Sequence, residues 1–213
     1  MNCDKKWMPL YAVTDRAWLG GKTLEEMSEA ALRGGATILQ LREKDLPHDA
    51  FLREALALKA LCARYDVPLI VNDDVDIALE CGAAGVHIGQ HDAPAAEVRR
   101  RIGPDMLLGV SAQTVDQAVK AERDGADYLG VGAVFSTGTK LDADDVSYDT
   151  LKAICAAVSI PVVAIGGITL GNIAALALSG IDGVAVVSAI FAAPDIEQAT
   201  RALRDTVRKE LGL

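Results

Sequence analysis

The sequence predicts one α/β domain over residues 1–213, folded as a (β/α)8 TIM barrel. Eight short, apolar, β-rich segments follow one another along the chain, and helical patterns separate them. Alternation of this kind with short links requires parallel strands and right-handed crossovers. A complete barrel needs at least about 200 residues, so a chain of 213 residues must form it with short loops.

The predicted strands are apolar on both faces, as strands covered on both sides of a parallel sheet must be. Their entry points alternate between a proline and a helix-ending glycine, which indicates a βαβα unit repeated four times. A doubly wound open sheet is the alternative, although its usual count is five or six strands. The eight strands are predicted near residues 8–14, 37–42, 68–72, 85–89, 106–111, 127–132, 161–165 and 183–187.

Helix-start signals support the same alternation. Thr23-Leu-Glu-Glu26 has the form of a capping box, and Gly34-Gly35 then ends that helix. Residues 114–117 form a second box of the Thr-x-x-Gln type. Asp195 is the expected N-cap of the last helix.

Charge and composition exclude several classes of function. A net charge of −9 argues against a nucleic-acid or anionic-membrane surface. The chain shows no signal peptide and no apolar run that could span a bilayer, so a cytoplasmic location is expected. The four cysteines have no zinc-site spacing, and those in predicted helices are expected to be small core residues. The sequence leaves open whether copies associate into a homo-oligomer.

Strand two ends in a group of polar side chains. Gln40, Arg42 and Lys44 share one face because side chains alternate along a strand, while Leu39 and Leu41 take the face toward the helices. The polar face therefore points to the barrel axis near its mouth. An unpaired buried Arg is costly, so an anionic ligand is predicted there. An internal salt bridge to Asp or Glu is the alternative.

Two carboxylates follow adjacent predicted strands. Asp73 follows strand three directly after Asn72, and Asp92 follows strand four. Mg²⁺ prefers few protein carboxylates together with waters and substrate phosphate oxygens. The pair therefore predicts a magnesium site, with the alternative that each aspartate only caps the following helix.

Further polar residues follow strands five to eight. Ser111 points inward and lacks a nucleophile-elbow motif, so a substrate hydrogen bond is expected rather than attack. The loop with Lys140 suits anion binding. Gly166-Gly167 after strand seven, and the end of strand eight, suit a phosphate bound by backbone N–H groups, or else a tight turn. His87 lies in a strand and is expected to be a satisfied core residue.

Eight motifs run in order over nearly the whole chain, and together they make the sequence similar to the thiamine phosphate synthase family. The loop after strand six departs from the usual family pattern by carrying Ser136 in place of proline. The motifs are YAVTDR at 11–16, QLREK at 40–44, VND at 71–73, GVHIGQHD at 85–92, GVSA at 109–112, TGTK at 137–140, PVVAIGGI at 161–168 and GVAVVSAI at 183–190.

The resemblance implies that a hydroxymethylpyrimidine diphosphate joins a thiazole phosphate, giving thiamine phosphate and pyrophosphate with Mg²⁺ as cofactor. The family mechanism is thought to be dissociative, so no general base is essential. The alternatives are a thiazole tautomerase-like isomerase and a non-catalytic thiamine-precursor binding protein. The residues implied are Gln40, Leu41, Arg42, Glu43, Lys44, Asn72, Ser111 and Lys140 for the pyrimidine diphosphate (Arg42, Ser111 and Lys140 as catalytic groups), Asp73 and Asp92 for Mg²⁺, and Thr137, Gly138, Thr139, Gly167, Val187 and Ser188 for the thiazole phosphate.

Overall fold

The computed structural model describes residues 3–136 and 146–213 and confirms the predicted barrel. All eight strands are parallel, and each pairs with the next along the chain until β8 closes on β1. The observed strands begin and end within two residues of the predicted ones. They are β1 (Leu10–Val13), β2 (Ile38–Leu41), β3 (Leu69–Asn72), β4 (Gly85–Ile88), β5 (Leu107–Ala112), β6 (Tyr128–Val131), β7 (Val162–Ile165) and β8 (Gly183–Val186).

Helices cover the outside of the barrel. Between β7 and β8 the strict alternation fails, because that link contains only a 3₁₀ turn, Ile173–Leu176. Leu178, two residues later, adopts a φ of 63°, which a continuing helix excludes. The helices in the described part of the chain are α1 (Leu24–Gly34), α2 (His48–Arg64), α3 (Val75–Cys81), α4 (Ala95–Ile102), α5 (Val115–Arg123), α6 (Tyr148–Ala157), α7 (Ser188–Phe191) and α8 (Ile196–Leu211).

The predicted helix ends are largely confirmed. Thr23 and Glu26 form both halves of the capping box at α1, and Gly35 ends that helix in the left-handed region. Asp195 caps α8. At α5 only half of the predicted box forms: the Thr114 side chain accepts from the backbone of residue 117, whose own side chain turns to the N–H of residue 113 instead.

Two separate groups of buried side chains hold the fold together. We call the apolar group between strands and helices the outer layer; it contains Leu39 and Leu41, as predicted, together with Leu58 of α2. Two cysteines of the predicted helices are also buried there. We call the group enclosed by the strands the barrel interior. Its members are Met8, Tyr11, Val13, Ile38, Ile70, Leu107, Tyr128, Val163 and Ala185.

The strand register aligns the carboxyl ends of neighbouring strands at one rim. Asn72 of β3 pairs with His87 of β4, and Ser111 of β5 pairs with Gly130 of β6. Side chains that follow these strands therefore meet at one mouth of the barrel. In the described ranges, no helix is both long and apolar enough to cross a lipid bilayer.

Candidate active site

Arg42, the cation predicted at the carboxyl end of β2, forms an ion pair with Asp15. Arg42 Nη1 lies 3.3 Å from Asp15 Oδ2, and both side chains are about four-fifths buried, with exposed fractions of 19% and 18%. The salt-bridge alternative is therefore realised. Asp15 follows β1, so this pair joins two adjacent strand ends, and an anionic ligand would compete with Asp15 for Arg42.

The next residue, Glu43, is engaged by another arginine. Its Oε1 lies 2.6 Å from Nε of Arg16, and Arg16 also donates to Glu54 of α2 at 2.6 and 2.7 Å. Burial raises the pKa of Glu43 to about 7, and the Glu54 charge adds to the rise, while Arg16 opposes it. The Glu43 side chain therefore links β2 to α2 through Arg16.

A cavity of 510 Å³ opens beside the ends of β2 and β3. Its lining includes four of the predicted ligand-binding residues, namely Glu43, Lys44, Asn72 and Asp73. A second cavity, of 320 Å³, lies between α1 and α2 on the outer surface and contains none of the predicted residues. Position and chemistry favour the first cavity as part of the site.

Asp73 is not a helix cap. The N-cap of α3 is the following residue, Asp74, whose Oδ1 accepts from Ile77 N–H at 2.9 Å. Asp73 itself adopts a φ of 63°, a region that non-glycine residues seldom occupy, and its N–H donates to the carbonyl of His87 at 2.8 Å. The capping alternative is therefore wrong for Asp73.

Asp92 does not cap a helix either. The residue at the N-cap of α4 is Pro94, which makes no side-chain capping bond. Asp92 Oδ2 instead accepts from Gly89 N–H at 2.7 Å, just beyond the end of β4. This bond holds the Asp92 carboxylate at the rim, beside the end of β4, and β4 is the neighbour of β3 in the barrel.

The two aspartates suit Mg²⁺ better than a metal that needs several protein ligands. Within the described ranges, no three His, Cys, Asp or Glu side chains come together around a common point. A pair of carboxylates on adjacent strands matches the few protein ligands that Mg²⁺ takes when water and phosphate supply the others. A zinc-type site is not formed by these residues.

A continuous series of hydrogen bonds crosses the barrel interior. Gln40 Nε2 donates to Tyr11 Oη at 2.8 Å, and Tyr11 Oη lies 2.8 Å from Tyr128 Oη. Tyr128 Oη is 3.2 Å from His87 Nδ1, and His87 Nε2 is 3.0 Å from Ser111 Oγ. We call these five side chains the interior relay. His87 is thus a satisfied buried residue, as predicted.

The sequence interpretation missed the two tyrosines and Asp15. Tyr11 and Tyr128 are only 2% and 0% exposed. A buried tyrosine hydroxyl nearly always has a hydrogen-bond partner, so their place in predicted core strands was the available signal. Their contact joins residues 117 positions apart, which the sequence does not reveal without barrel closure.

Gly109 of β5 makes the relay sterically possible. A Cβ atom at this position would overlap the Tyr128 hydroxyl and the His87 Nδ1 atom. Ser111, two residues further along β5, faces the same interior. Its backbone carbonyl accepts from Gln90 Nε2 at 2.6 Å, which ties the loop after β4 to β5.

The ends of β7 and β8 form tight backbone structure. Gly166 and Gly167 have φ values of 102° and 63°, and a Cβ on Gly167 would lie 2.6 Å from the Ser136 carbonyl oxygen. The tight-turn interpretation is therefore supported, since the chain passes close to the loop after β6. Val187 directly precedes α7, and the first residue of α7, Ser188, is exposed. Phosphate binding there remains a prediction.

Four predicted site residues belong to the loop after β6. These residues, Thr137, Gly138, Thr139 and Lys140, lie outside the described part of the chain.

Comparison with known proteins identifies the family. Residues 10–190 match the family described as "Thiamine monophosphate synthase". A thiamine-phosphate synthase of Clostridium tetani is 51% identical over 194 residues, covering 91% of this chain and 93% of that protein. One from Ruminiclostridium cellulolyticum is 53% identical over 194 residues, covering 91% and 92%.

Solved structures agree with the sequence matches. The thiamine phosphate pyrophosphorylase of Pyrococcus furiosus superposes with a TM-score of 0.90 at 39% identity, covering 98% of this chain and 99% of that one. These matches extend over the strands and rim described above. The chain therefore belongs to the thiamine monophosphate synthase family.

Proposed function

We propose that this member of the family is a Mg²⁺-dependent transferase of thiamine biosynthesis. It joins hydroxymethylpyrimidine diphosphate to a thiazole phosphate. The bond between the pyrimidine methylene carbon and the diphosphate oxygen breaks, and that carbon bonds to the thiazole nitrogen. The products are thiamine phosphate and pyrophosphate.

One observation carries the assignment of the site: polar groups from β2, β3, β4 and β5 end at the same rim. Arg42 lies at the end of β2, Asp73 follows β3, Asp92 is held beside β4, and Ser111 faces inward from β5. The barrel's active site is expected at this end of the strands. The names of the relatives support the transferase role.

Asp73 and Asp92 are the residues that would hold Mg²⁺. The divalent ion, when bound, neutralises charge on the leaving diphosphate oxygens. Neither carboxylate is used as a helix cap. The Asp92 carboxylate accepts from the Gly89 N–H, and the backbone N–H of Asp73 donates to the His87 carbonyl, so both residues are anchored near the ends of their strands. Binding of Mg²⁺ by these two residues would therefore cost no helix cap.

Cationic side chains would bind the diphosphate directly. Arg42 would exchange part of its contact with Asp15 for the diphosphate, since the present separation of 3.3 Å is long for a charge-assisted bond. Lys44 lines the neighbouring cavity with Asn72. Lys140 is proposed as a further cation for the leaving group. Preorganised positive charge of this kind stabilises the transition state.

A second anion site is proposed for the thiazole phosphate at the ends of β7 and β8. Gly167 allows the backbone to pass close to the loop after β6, and Val187 and Ser188 supply the backbone at the start of α7. The residues 137–139 would complete this site. Two separate anion sites match two phosphorylated substrates.

The alternative functions gain no support from the relatives. A thiazole tautomerase-like isomerase would need the β7–β8 phosphate site but not the aspartate pair. A non-catalytic binding protein would bind the same ligands without turnover. Both alternatives therefore predict that no pyrophosphate is formed.

The test is pyrophosphate release by the purified protein. Release should require both substrates and Mg²⁺, and it should stop with EDTA. Turnover of the thiazole phosphate alone without metal would favour the isomerase. Tight ligand binding with no thiamine phosphate detected by mass spectrometry would favour the binding protein.

A further inference from the structure

The interior relay connects two predicted substrate contacts through three residues that have no assigned role. Gln40 and Ser111 form its ends, and Tyr11, Tyr128 and His87 lie between them. The series begins on β2 and continues through residues of β1, β6, β4 and β5. A change in hydrogen-bond direction at one end therefore has a continuous path to the other.

The Gln40 amide sets the direction of the series. Because Gln40 Nε2–H donates to Tyr11 Oη, the Tyr11 O–H needs a different acceptor, and Tyr128 Oη lies 2.8 Å away. The Tyr128 proton then points to His87 Nδ1, which acts as an acceptor. A neutral imidazole that accepts at one nitrogen carries its proton on the other. His87 Nε2–H therefore donates to Ser111 Oγ.

We propose that Tyr11, Tyr128 and His87 are positioning residues that transmit the orientation of the Gln40 amide to Ser111. The Ser111 oxygen receives the His87 proton, which leaves the serine O–H to donate to a lone pair of the substrate. In the opposite direction Ser111 would donate to His87 and could only accept from the substrate. The relay therefore fixes the donor character of Ser111 before substrate binds.

Burial makes the direction persistent. Tyr11 and Tyr128 are 2% and 0% exposed, so their hydroxyl groups have no bulk water to bond instead. Burial also raises the pKa of both tyrosines, which keeps them protonated and able to donate. Reversing the series would require all the bonds to turn together, because a single reversed bond would leave two protons facing each other.

The tautomer of His87 tests the direction without substrate or activity. In ¹⁵N-histidine-labelled full-length protein, the bare and protonated nitrogens of a neutral imidazole resonate far apart. Replacing the exposed His48 and His91 with Gln leaves His87 as the one histidine of the chain. We expect the proton on Nε2. A proton on Nδ1, or a doubly protonated ring, would overturn the proposal.

A reversal experiment tests transmission along the relay. An ionised carboxylate can only accept hydrogen bonds, so the new side chain in Gln40→Glu must accept one from the Tyr11 hydroxyl. This reverses every bond of the relay and should move the His87 proton to Nδ1. Adding Tyr11→Phe keeps the new charge but interrupts the series, so the shift should disappear. Persistence of the shift in the double variant would show a through-space charge effect and contradict the relay. If Gln40→Glu does not fold, the His87 tautomer measured in the protein with native Gln40 still decides the direction of the hydrogen bonds.

A kinetic cycle tests the consequence for Ser111, and this part rests on the proposed function. Tyr128→Phe should lower kcat/KM about tenfold, close to the loss of one hydrogen bond. In a Ser111→Ala background the same substitution should cause no further loss. An equal loss in both backgrounds would indicate a merely structural role. Absence of pyrophosphate release by the unmodified protein would refute the proposed function, while the tautomer measurement would still decide the relay.

Discussion

The outer layer and the barrel interior bury side chains equally well but use them differently. The outer layer consists of aliphatic, alanine, cysteine and aromatic side chains between strands and helices. The interior places Tyr11, Tyr128, Gln40 and His87 among its apolar residues. Both regions stabilise the barrel, but the interior also continues into polar groups at the mouth.

The difference shows how one strand serves two purposes. In β2, Leu39 and Leu41 pack in the outer layer, while Gln40 between them enters the interior relay. Burying polar groups is costly unless each has a partner. The relay provides those partners, so the interior carries polar side chains without unfavourable isolated groups along its length.

The largest effect is expected in the outer layer. Leu58 of α2 is fully buried, and Leu58→Ala should lower the free energy of unfolding by about 2–5 kcal/mol. Leu56 on the same helix is 46% exposed, and Leu56→Ala should change it by less than about 0.5 kcal/mol. Urea unfolding measures both. Similar losses for the two variants would contradict the burial of Leu58 in the outer layer.

The next effect concerns the interior. Gly109→Ala inserts a methyl group where Tyr128 and His87 meet, and overpacking should cost about 1–3 kcal/mol. It should also reduce pyrophosphate release, because the relay to Ser111 is displaced. Gly171→Ala is the control, since its Cβ would have only Thr169 Oγ1 within 4 Å, at 3.8 Å. An unchanged melting temperature and unchanged activity for Gly109→Ala would contradict the close packing of Gly109 against Tyr128 and His87.

A further effect is a pH dependence at Glu43, which Arg16 links to Glu54 of α2. Folded Glu43 has a pKa of about 7 against an ordinary value of 4.5, so it holds its proton more tightly than the unfolded chain. Its contribution to stability therefore falls as pH rises from about 4.5 to about 7. Relative to Glu43→Gln, the unmodified protein should lose stability between pH 5 and pH 8 in urea unfolding. A constant difference, or one of opposite sign, would contradict this account of Glu43.

Sequence patterns predicted the barrel because they record local requirements. Strand polarity, helix caps such as Thr23, and the outward direction of Leu39 each depend on neighbouring residues alone. The 3₁₀ turn before β8 was missed because it depends on a loop tied by Asn172, which bonds the Thr169 N–H and the Gly167 carbonyl. Hydrogen bonds of this kind depend on the geometry of the loop, which the hydrophobic periodicity of the sequence does not reveal.

The site was predictable in its residue types and less so in its contacts. The pattern Asn-Asp-Asp at the end of β3 does not reveal which aspartate caps α3, because both are good N-cap residues. The structure assigns the cap to Asp74 and leaves Asp73 at the rim. The contacts of Arg42 with Asp15, and of Tyr11 with Tyr128, needed the closed barrel to bring distant strands together.

The adjacent residues Asp73 and Asp74 give the most direct test of the proposed metal site. Asp73 should be needed for activity, and Asp74 for the stability of α3. Asp73→Asn should lower Mg²⁺-dependent pyrophosphate release by at least about 100-fold, because even supporting residues of metal sites are worth about 10–100-fold. Its free energy of unfolding should not change, since Asn also tolerates a positive φ. Asp74→Ala should lose about 1 kcal/mol of stability with its cap and keep its activity. Full activity of Asp73→Asn in the presence of EDTA would contradict the central claim.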